Sequence, residues 1–210
     1  MKKIKICGLS QAADIAVINT VKPDYCGFII NYPKSRRNIS PEAVQSFRAK
    51  LNPAITTVGV FVDQPVELVA KLLNKSIVSI AQLHGHEDNC YIAALRQLTA
   101  SPIWKALQIT CQEEATQALK SMADFVLLDA GQGCGKTFDW SILAGFSRPF
   151  GLAGGLNIEN LHEALQTEAS LLDVSSGVET GGVKDPDKIR NFVKTARGLR
   201  SLIQGDLPYA

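Results

Sequence analysis

The sequence lacks the features that mark membrane-spanning and nucleic-acid-binding proteins. No apolar run in its 210 residues approaches the roughly 20 residues that a helix needs to cross a bilayer. The formal net charge is only +2, so bulk electrostatic attraction to nucleic acid or to an anionic membrane surface is not expected. We therefore expect the partner to be a small molecule, with no nucleic acid and no membrane involved.

Disulfide and zinc-binding patterns are also missing. The five cysteines are odd in number, widely spaced and without a Cys-x-x-Cys pair: Cys7, Cys26, Cys90, Cys111 and Cys134. This pattern favours reduced thiols and argues against a disulfide framework or a zinc site. The amino-terminal lysines are not followed by the apolar segment of a signal peptide, so we expect no signal peptide and a cytoplasmic protein.

Short apolar runs alternate with helical patterns along the chain. The predicted strands are 3–7, 25–30, 56–62, 77–83, 103–107, 125–129, 150–153 and 171–175. The predicted helices are 10–21, 41–50, 65–73, 88–98, 112–121, 157–165 and 185–199, with a weak helical segment at 141–143. Ser10 and Ser40 are expected to cap the first two of these helices. This alternation indicates a parallel sheet, and eight units predict an α/β fold of the (β/α)8 TIM barrel type, as a single domain over 1–210. The tail 203–210 is predicted to fray, and an open doubly wound sheet is the alternative fold.

Strands one and six end in side chains that can carry protons. In a TIM barrel the carboxyl ends of the strands and the loops after them form the active site. Cys7 ends the first strand and Asp129 ends the sixth, so both face the same mouth. A thiol and a carboxyl group can act as an acid–base pair if their pKa values are pushed apart. A lone cysteine is more often a small buried apolar residue, and this alternative stays open for Cys7.

Small and polar residues follow strands seven and eight, where barrels usually bind phosphate. Glycines expose backbone N–H groups, serines add hydroxyl donors, and Asn157 is predicted to open a helix whose amino terminus favours an anion. The candidate phosphate-binding residues are Gly154, Gly155, Ser175, Ser176 and Gly177. The alternative is that these glycines only make tight turns.

Two polar loops on the same side of the predicted barrel provide the remaining candidates. Arg37 suits a bidentate clamp on a substrate carboxylate, although a solvated basic loop would explain it as well. His84 follows the fourth strand and forms a His-x-His pair with His86, but no third ligand is evident and we expect no metal. Glu87 and Asp88 are interpreted as charges at a helix amino terminus.

The segment after Asp129 is rich in glycine and nearly matches a phosphate-binding P-loop. Ala130 stands at the first glycine position of the G-x-x-x-x-G-K-[ST] motif, which ends in Gly135-Lys136-Thr137. No long amphipathic helix follows, so the motif lacks its usual structural context. For this reason we keep a P-loop nucleotide-binding enzyme only as the alternative function. The preferred interpretation is a mobile flap beside Asp129 that is anchored by Phe138 and Trp140.

Motifs spread over most of the chain resemble one enzyme family. They are Lys5-Ile-Cys-Gly8, Tyr32-Pro-Lys-Ser-Arg-Arg37, Val58-Gly-Val-Phe-Val62, Gln82-Leu-His-Gly85, Gly135-Lys-Thr-Phe-Asp-Trp140, Leu152-Ala-Gly-Gly-Leu156 and Asp173-Val-Ser-Ser-Gly-Val-Glu179. In this order they resemble the phosphoribosylanthranilate isomerases of tryptophan biosynthesis, which are TIM barrels. Three residues depart from the family pattern: Arg36 replaces a proline, Gln132 a glycine, and Cys134 a serine or threonine.

The resemblance implies an Amadori rearrangement of N-(5-phosphoribosyl)anthranilate, which needs no cofactor. Asp129 matches the family's general acid and Cys7 its general base. Arg37 would hold the anthranilate carboxylate, His84 would line the pocket, and the glycine loops would hold the phosphate. We expect a monomer or a homodimer. Two other functions stay open: a barrel that only binds a phosphorylated metabolite, and a histidine-pathway isomerase, which would be expected to use two carboxylates.

Overall fold

Eight parallel strands form a closed barrel in the computed structural model, which describes residues 2–129 and 140–203, with 199–203 as backbone only. Numbered in chain order, the barrel strands are β1 (Lys3–Cys7), β2 (Tyr25–Ile30), β3 (Thr56–Phe61), β4 (Ile80–Leu83), β5 (Ile103–Gln108), β6 (Phe125–Asp129), β7 (Phe150–Ala153) and β8 (Leu171–Val174). Each strand pairs in parallel with the next, and β8 pairs with β1 to close the ring. The predicted (β/α)8 barrel is thereby confirmed.

Helices connect most of the successive strands. They are α1 (Ala12–Val21), α2 (Pro41–Arg48), α3 (Val66–Asn74), α4 (Asn89–Leu98), α5 (Gln112–Ala118), α6 (Leu161–Gln166) and α7 (Pro186–Ile203). Between β6 and β7 the described residues form only a 3-10 turn, Trp140–Leu143, where the sequence predicts a weak helical segment. Two-residue strands add a parallel partner to β2 at Asn38–Ile39 and a hairpin of Glu179–Thr180 with Val183–Lys184. None of the helices in the described ranges is long and apolar enough to cross a membrane.

Of the two predicted helix caps, one is confirmed by the structure and one is not. Ser40 caps α2 as predicted, because its Oγ accepts a hydrogen bond from the Ala43 N–H at 3.3 Å. The prediction that Ser10 caps α1 is wrong. The carboxylate of Asp14, inside the first turn, reaches back instead and accepts from the Ser10 N–H at 2.8 Å. The same carboxylate accepts from the Gln11 N–H at 2.9 Å, and Gln11 is the N-cap residue of α1.

The alternation of side chains along each strand produces two apolar layers. A small cluster fills the inside of the barrel: Val58, Ile80, Trp104, Ala106, Leu127, Ala153 and Leu171. A larger cluster packs the strands against the helices. Because side chains two positions apart share a face, Asp129 follows Leu127 on the inside and His84 follows Ile80. The strand register therefore turns polar residues near the carboxyl ends toward the mouth of the barrel.

Candidate active site

Asp129 and His84 lie together at the mouth of the barrel. Asp129 ends β6 and His84 follows β4, and both line a cavity of about 700 Å³ at the carboxyl ends of the strands. The distance from His84 Nε2 to Asp129 Oδ2 is 3.5 Å. The Asp129 side chain is 20% exposed and that of His84 is 42% exposed, so the carboxyl group is the more shielded of the two. The structure thus brings together two of the predicted site residues.

A buried glutamate holds the loop that carries His84. Glu87 accepts hydrogen bonds from backbone N–H groups of two neighbouring loops, at 2.7 and 2.8 Å. Its Oε2 also lies 3.2 Å from Lys105 Nζ, which donates to the Gly85 carbonyl at 2.7 Å. The interpretation of Glu87 as a helix-terminal charge is therefore wrong, because the side chain turns inward to a buried lysine. Asp88 does cap α4, through the Tyr91 N–H at 2.9 Å.

The two histidines of the His-x-His pair face different carboxylates. His86 Nδ1 lies 3.0 Å from Asp63 Oδ2 on the exposed rim, whereas His84 lies beside Asp129. Within 2–129 and 140–203, no three metal-ligating side chains group together. His84 and His86 therefore make two separate contacts, each with a different carboxylate.

Cys7 is buried above an ion pair inside the barrel. Lys5 lies two residues earlier on the same face of β1, and its Nζ is 2.6 Å from Asp173 Oδ2 on β8. Gly27 on β2 makes room for both groups, since a Cβ there would lie 2.8 Å from Cys7 Sγ and 3.2 Å from Lys5 Nζ. Ser175 Oγ donates to the Cys7 carbonyl at 3.1 Å. Cys7 is therefore part of a polar cluster.

Burial and the ion pair act on the Cys7 thiol in opposite directions. Burial raises the pKa of Cys7, the Lys5 charge acts to lower it, and Asp173 opposes Lys5, so the net change is upward. Burial acts to lower the pKa of Lys5, but the charges of Asp173 and Cys7 outweigh it and the pKa is raised. Cys7 is thus a neutral thiol beside a lysine cation in the unliganded protein, and that cation favours the thiolate.

Replacing Lys5 by methionine is expected to lower the free energy of unfolding by about 3–5 kcal/mol, because it leaves the buried Asp173 carboxylate unpaired. Within the described chain, Asp173 Oδ1 already has no hydrogen-bond partner. The double variant Lys5→Met/Asp173→Leu should recover most of the loss. Urea unfolding at neutral pH measures the effect.

The matched control for this pair is Lys3→Met on the same strand. The Lys3 side chain is 58% exposed and pairs with Asp24 at 2.9 Å, so its loss should cost about 0–1 kcal/mol. Equal losses of unfolding free energy for Lys5→Met and Lys3→Met would contradict the role given to the buried pair.

Arg37 lies over the end of β1, next to Cys7. Its side chain crosses Gly8, where φ is +79° and a Cβ would lie 2.4 Å from Arg37 Cδ. Glu179 holds the guanidinium in a bidentate pair, with Nε to Oε1 at 2.6 Å and Nη2 to Oε2 at 2.7 Å. This ordered and partly buried arrangement argues against the alternative of a solvated basic loop.

The loops after β7 and β8 approach each other closely at the mouth. Gly154 and Gly155 have positive φ, 81° and 66°, which other residues rarely adopt. A Cβ on Gly177 would lie 1.9 Å from the carbonyl oxygen of Leu156, so this approach requires glycine. Ser176 and Gly177 line a cavity of about 260 Å³ beside these loops. The geometry exposes small residues where the sequence predicts a phosphate site.

The prediction that Asn157 opens a helix is wrong, because α6 begins at Leu161. Asn157 Oδ1 accepts hydrogen bonds from the N–H groups of Glu159 at 2.8 Å and Asn160 at 3.1 Å. Its side chain thereby closes a turn, in competition with the helix. An anion bound between these loops would meet loop amides instead of the amino terminus of α6.

The glycine-rich segment 130–139 lies outside the described residues. The predictions for Gln132, Cys134, Phe138 and the near-P-loop Gly135-Lys136-Thr137 all concern this segment. Trp140 follows it, is buried and begins the 3-10 turn. The structure therefore provides a buried indole directly after the predicted flap.

Charged residues outside the predicted set also organise the site: Lys5, Asp173, Glu179 and Lys184. A sequence signal for the first two does exist. Lys5 and Asp173 each stand between two apolar residues of a strand, where an unpaired charge would be costly. Their pairing across β1 and β8 was not evident from the sequence, because the partners are 168 residues apart.

The whole chain is similar to proteins of one enzyme family. Residues 4–195 match the family model described as N-(5'phosphoribosyl)anthranilate (PRA) isomerase. A relative from Endomicrobium trichonymphae, named N-(5'-phosphoribosyl)anthranilate isomerase, is 40% identical over 205 residues, which cover 95% of this chain and 100% of the relative.

Solved structures agree with the sequence comparison. Phosphoribosyl anthranilate isomerase from Thermotoga maritima has a TM-score of 0.86 at 34% identity, with coverage of 94% of this chain and 100% of that chain. A phosphoribosyl anthranilate isomerase in complex with reduced 1-(o-carboxyphenylamino)-1-deoxyribulose 5-phosphate has a TM-score of 0.83 at 33% identity and the same coverage. On this evidence, the chain belongs to the N-(5'-phosphoribosyl)anthranilate isomerase family.

Proposed function

We propose that the protein catalyses the Amadori rearrangement of N-(5'-phosphoribosyl)anthranilate to 1-(2-carboxyphenylamino)-1-deoxyribulose 5-phosphate, an isomerisation in tryptophan biosynthesis. Family membership supports this reaction. The observation that carries it is the position of Cys7 and Asp129, which end β1 and β6 and so stand on different sides of one mouth. A barrel that only binds a metabolite needs no such pair of proton carriers. A histidine-pathway isomerase would be expected to have a second carboxylate at Cys7.

Asp129 is the general acid in this scheme. Its protonated carboxyl group transfers a proton to the ribose ring oxygen, the bond from that oxygen to C1′ breaks, and the nitrogen lone pair forms an iminium. Asp129 is suited to this step because it lines the cavity at the carboxyl ends of the strands and is mostly shielded from solvent. His84 lines the same cavity, 3.5 Å from the carboxylate.

Cys7 is the general base. Its thiolate removes the proton from C2′, and the electron pair of that C–H bond neutralises the iminium to give an enolamine, which tautomerises to the ketone. Lys5 and the iminium cation both favour release of the thiol proton to solvent, and so oppose the effect of burial on the thiol. Electrons are only redistributed within the substrate, so the proposed reaction requires no cofactor.

Two anion-binding regions would hold the substrate at its two ends. Arg37 binds the anthranilate carboxylate through charge-assisted hydrogen bonds. The residues proposed to hold the phosphate are Gly154, Gly155, Ser175, Ser176 and Gly177. Holding both ends places the ribose between Cys7 and Asp129, which is the geometry that proton transfer to and from adjacent atoms needs.

A single domain over 1–210, a cytoplasmic location and a monomeric or homodimeric state are further parts of this proposal. Light scattering of the purified protein would measure the oligomeric state.

Conversion of N-(5'-phosphoribosyl)anthranilate by the purified protein tests the proposal. The fluorescence of the anthranilate group should fall as a product of unchanged mass forms, and deuterium at C2′ should slow its formation. Absence of conversion would contradict the proposed reaction. A rise in melting temperature with ATP and Mg²⁺ that Lys136→Ala abolishes would support the P-loop alternative instead.

A further inference from the structure

A carboxylate that takes no part in the proposed proton transfers holds the proposed substrate clamp. We propose that Glu179 is a positioning residue for substrate binding: it holds Arg37 by one edge of the guanidinium, so that the other edge can bind the anthranilate carboxylate. This role rests on the proposed function, because it concerns the carboxylate of that substrate.

The guanidinium of Arg37 has two edges that can each bind a carboxylate. Glu179 occupies the edge formed by Nε and Nη2, at 2.6 and 2.7 Å. The second hydrogen of Nη2 and the hydrogens of Nη1 form another edge with the same fork geometry. No hydrogen bond from Arg37 Nη1 occurs among residues 2–129 and 140–203. Arg37 can therefore bind the substrate without releasing Glu179.

Glu179 is itself firmly held. Its side chain is only 4% exposed, and Lys184 Nζ lies 2.5 Å from its Oε1 across a two-residue hairpin. Lys184 Nζ also donates to the Ser175 carbonyl at 3.0 Å, and Lys188 Nζ donates to the Glu179 carbonyl at 2.8 Å. Burial acts to raise the pKa of Glu179, but hydrogen bonds from Arg37 and Lys184 hold it at about 2. Glu179 is thus a fixed and permanently charged support at neutral pH.

The charges around Glu179 favour the arrival of a second carboxylate. Three cations surround this single carboxylate: Arg37, Lys184 and Arg36, whose Nη2 lies 2.8 Å from Oε2. One negative and three positive charges leave an excess of two positive charges. A carboxylate ligand lowers that excess, so it is attracted to the cluster while Glu179 stays in place. A gate in which substrate must displace Glu179 is the competing explanation.

Binding of two matched ligands separates these explanations. The ligands are reduced 1-(o-carboxyphenylamino)-1-deoxyribulose 5-phosphate and the same molecule without its carboxyl group. Calorimetry on the wild-type protein should show that the carboxylate tightens binding about 10- to 100-fold, as expected for charge-assisted hydrogen bonds. In Glu179→Gln this preference should fall below about 5-fold, close to that of Arg37→Met, while binding of the carboxylate-free ligand changes little. Glu42→Gln, at the exposed start of α2, is the control and should keep the full preference.

Glu179→Asp keeps the charge and should retain part of the preference, and melting curves of all variants report folding. If a folded Glu179→Gln variant keeps the full preference for the carboxylated ligand, the positioning role of Glu179 is overturned. Tighter binding of the carboxylated ligand by that variant would also overturn it, because it would show that Glu179 opposes the substrate carboxylate, by its charge or as a gate. If the variant binds both ligands more weakly by the same factor, the effect is purely structural and the inference is contradicted. Turnover of N-(5'-phosphoribosyl)anthranilate by the wild-type protein tests the proposed function separately.

Discussion

Replacement of Cys7 by alanine is expected to lower kcat/KM for N-(5'-phosphoribosyl)anthranilate by about 10²–10⁴-fold, the usual contribution of one general base. Alanine has no group that can accept the C2′ proton. Lys5 cannot replace the thiolate, because it is paired with Asp173 as a cation and so has no free lone pair. Steady-state fluorescence measurements with the purified wild-type and variant proteins give the ratio of their kcat/KM values directly.

Cys90→Ala is the matched control for this loss. Cys90 is an exposed cysteine at the start of α4, so its replacement should leave turnover unchanged. Melting curves check that Cys7→Ala is folded, since the side chain that it removes is buried. Near-normal turnover of a folded Cys7→Ala variant would show that Cys7 is only a small buried residue, which is the alternative left open by its sequence.

The Asp129→Asn variant should lose about 10²–10⁴-fold in kcat/KM as well, because an amide of the same shape cannot supply the proton that opens the ribose ring. Since asparagine is nearly the same size as aspartate, the contact with His84 and the lining of the cavity should be preserved. The control is Asp63→Asn, which changes a carboxylate of the same cavity that contacts His86 on the exposed rim. Equal losses in the two variants would contradict a specific acid role for Asp129.

Chemical trapping distinguishes the two catalytic roles. Borohydride reduces an open-chain iminium, which forms after proton transfer from Asp129 and before proton removal by Cys7. Cys7→Ala should therefore accumulate trapped adduct from substrate, whereas Asp129→Asn should not. The opposite pattern would reverse the two assignments.

The positions of the strands were largely predictable, and those of some helix ends were not. Strand boundaries follow short apolar runs, and the predicted ends at Cys7 and Asp129 agree with the structure. The starts of α1 and α6 differ from prediction because Asp14 and Asn157 accept local backbone hydrogen bonds. Several side chains compete for the same N–H groups at a helix start, and their relative geometry is not visible in a linear pattern.

The sequence by itself determined three features of this protein: the order of strands and helices, the residue types at the strand ends, and the family motifs. Each of these depends on residues that are neighbours in the chain. The pairing of Lys5 with Asp173 could not be predicted from the sequence, because it exists only when β8 closes the barrel against β1. The same holds for Arg37 and Glu179, which are 142 residues apart. These contacts determine the charge beside the Cys7 thiol and the orientation of the carboxylate clamp. Electrostatic energy depends on distance in space, and closure of the barrel sets those distances.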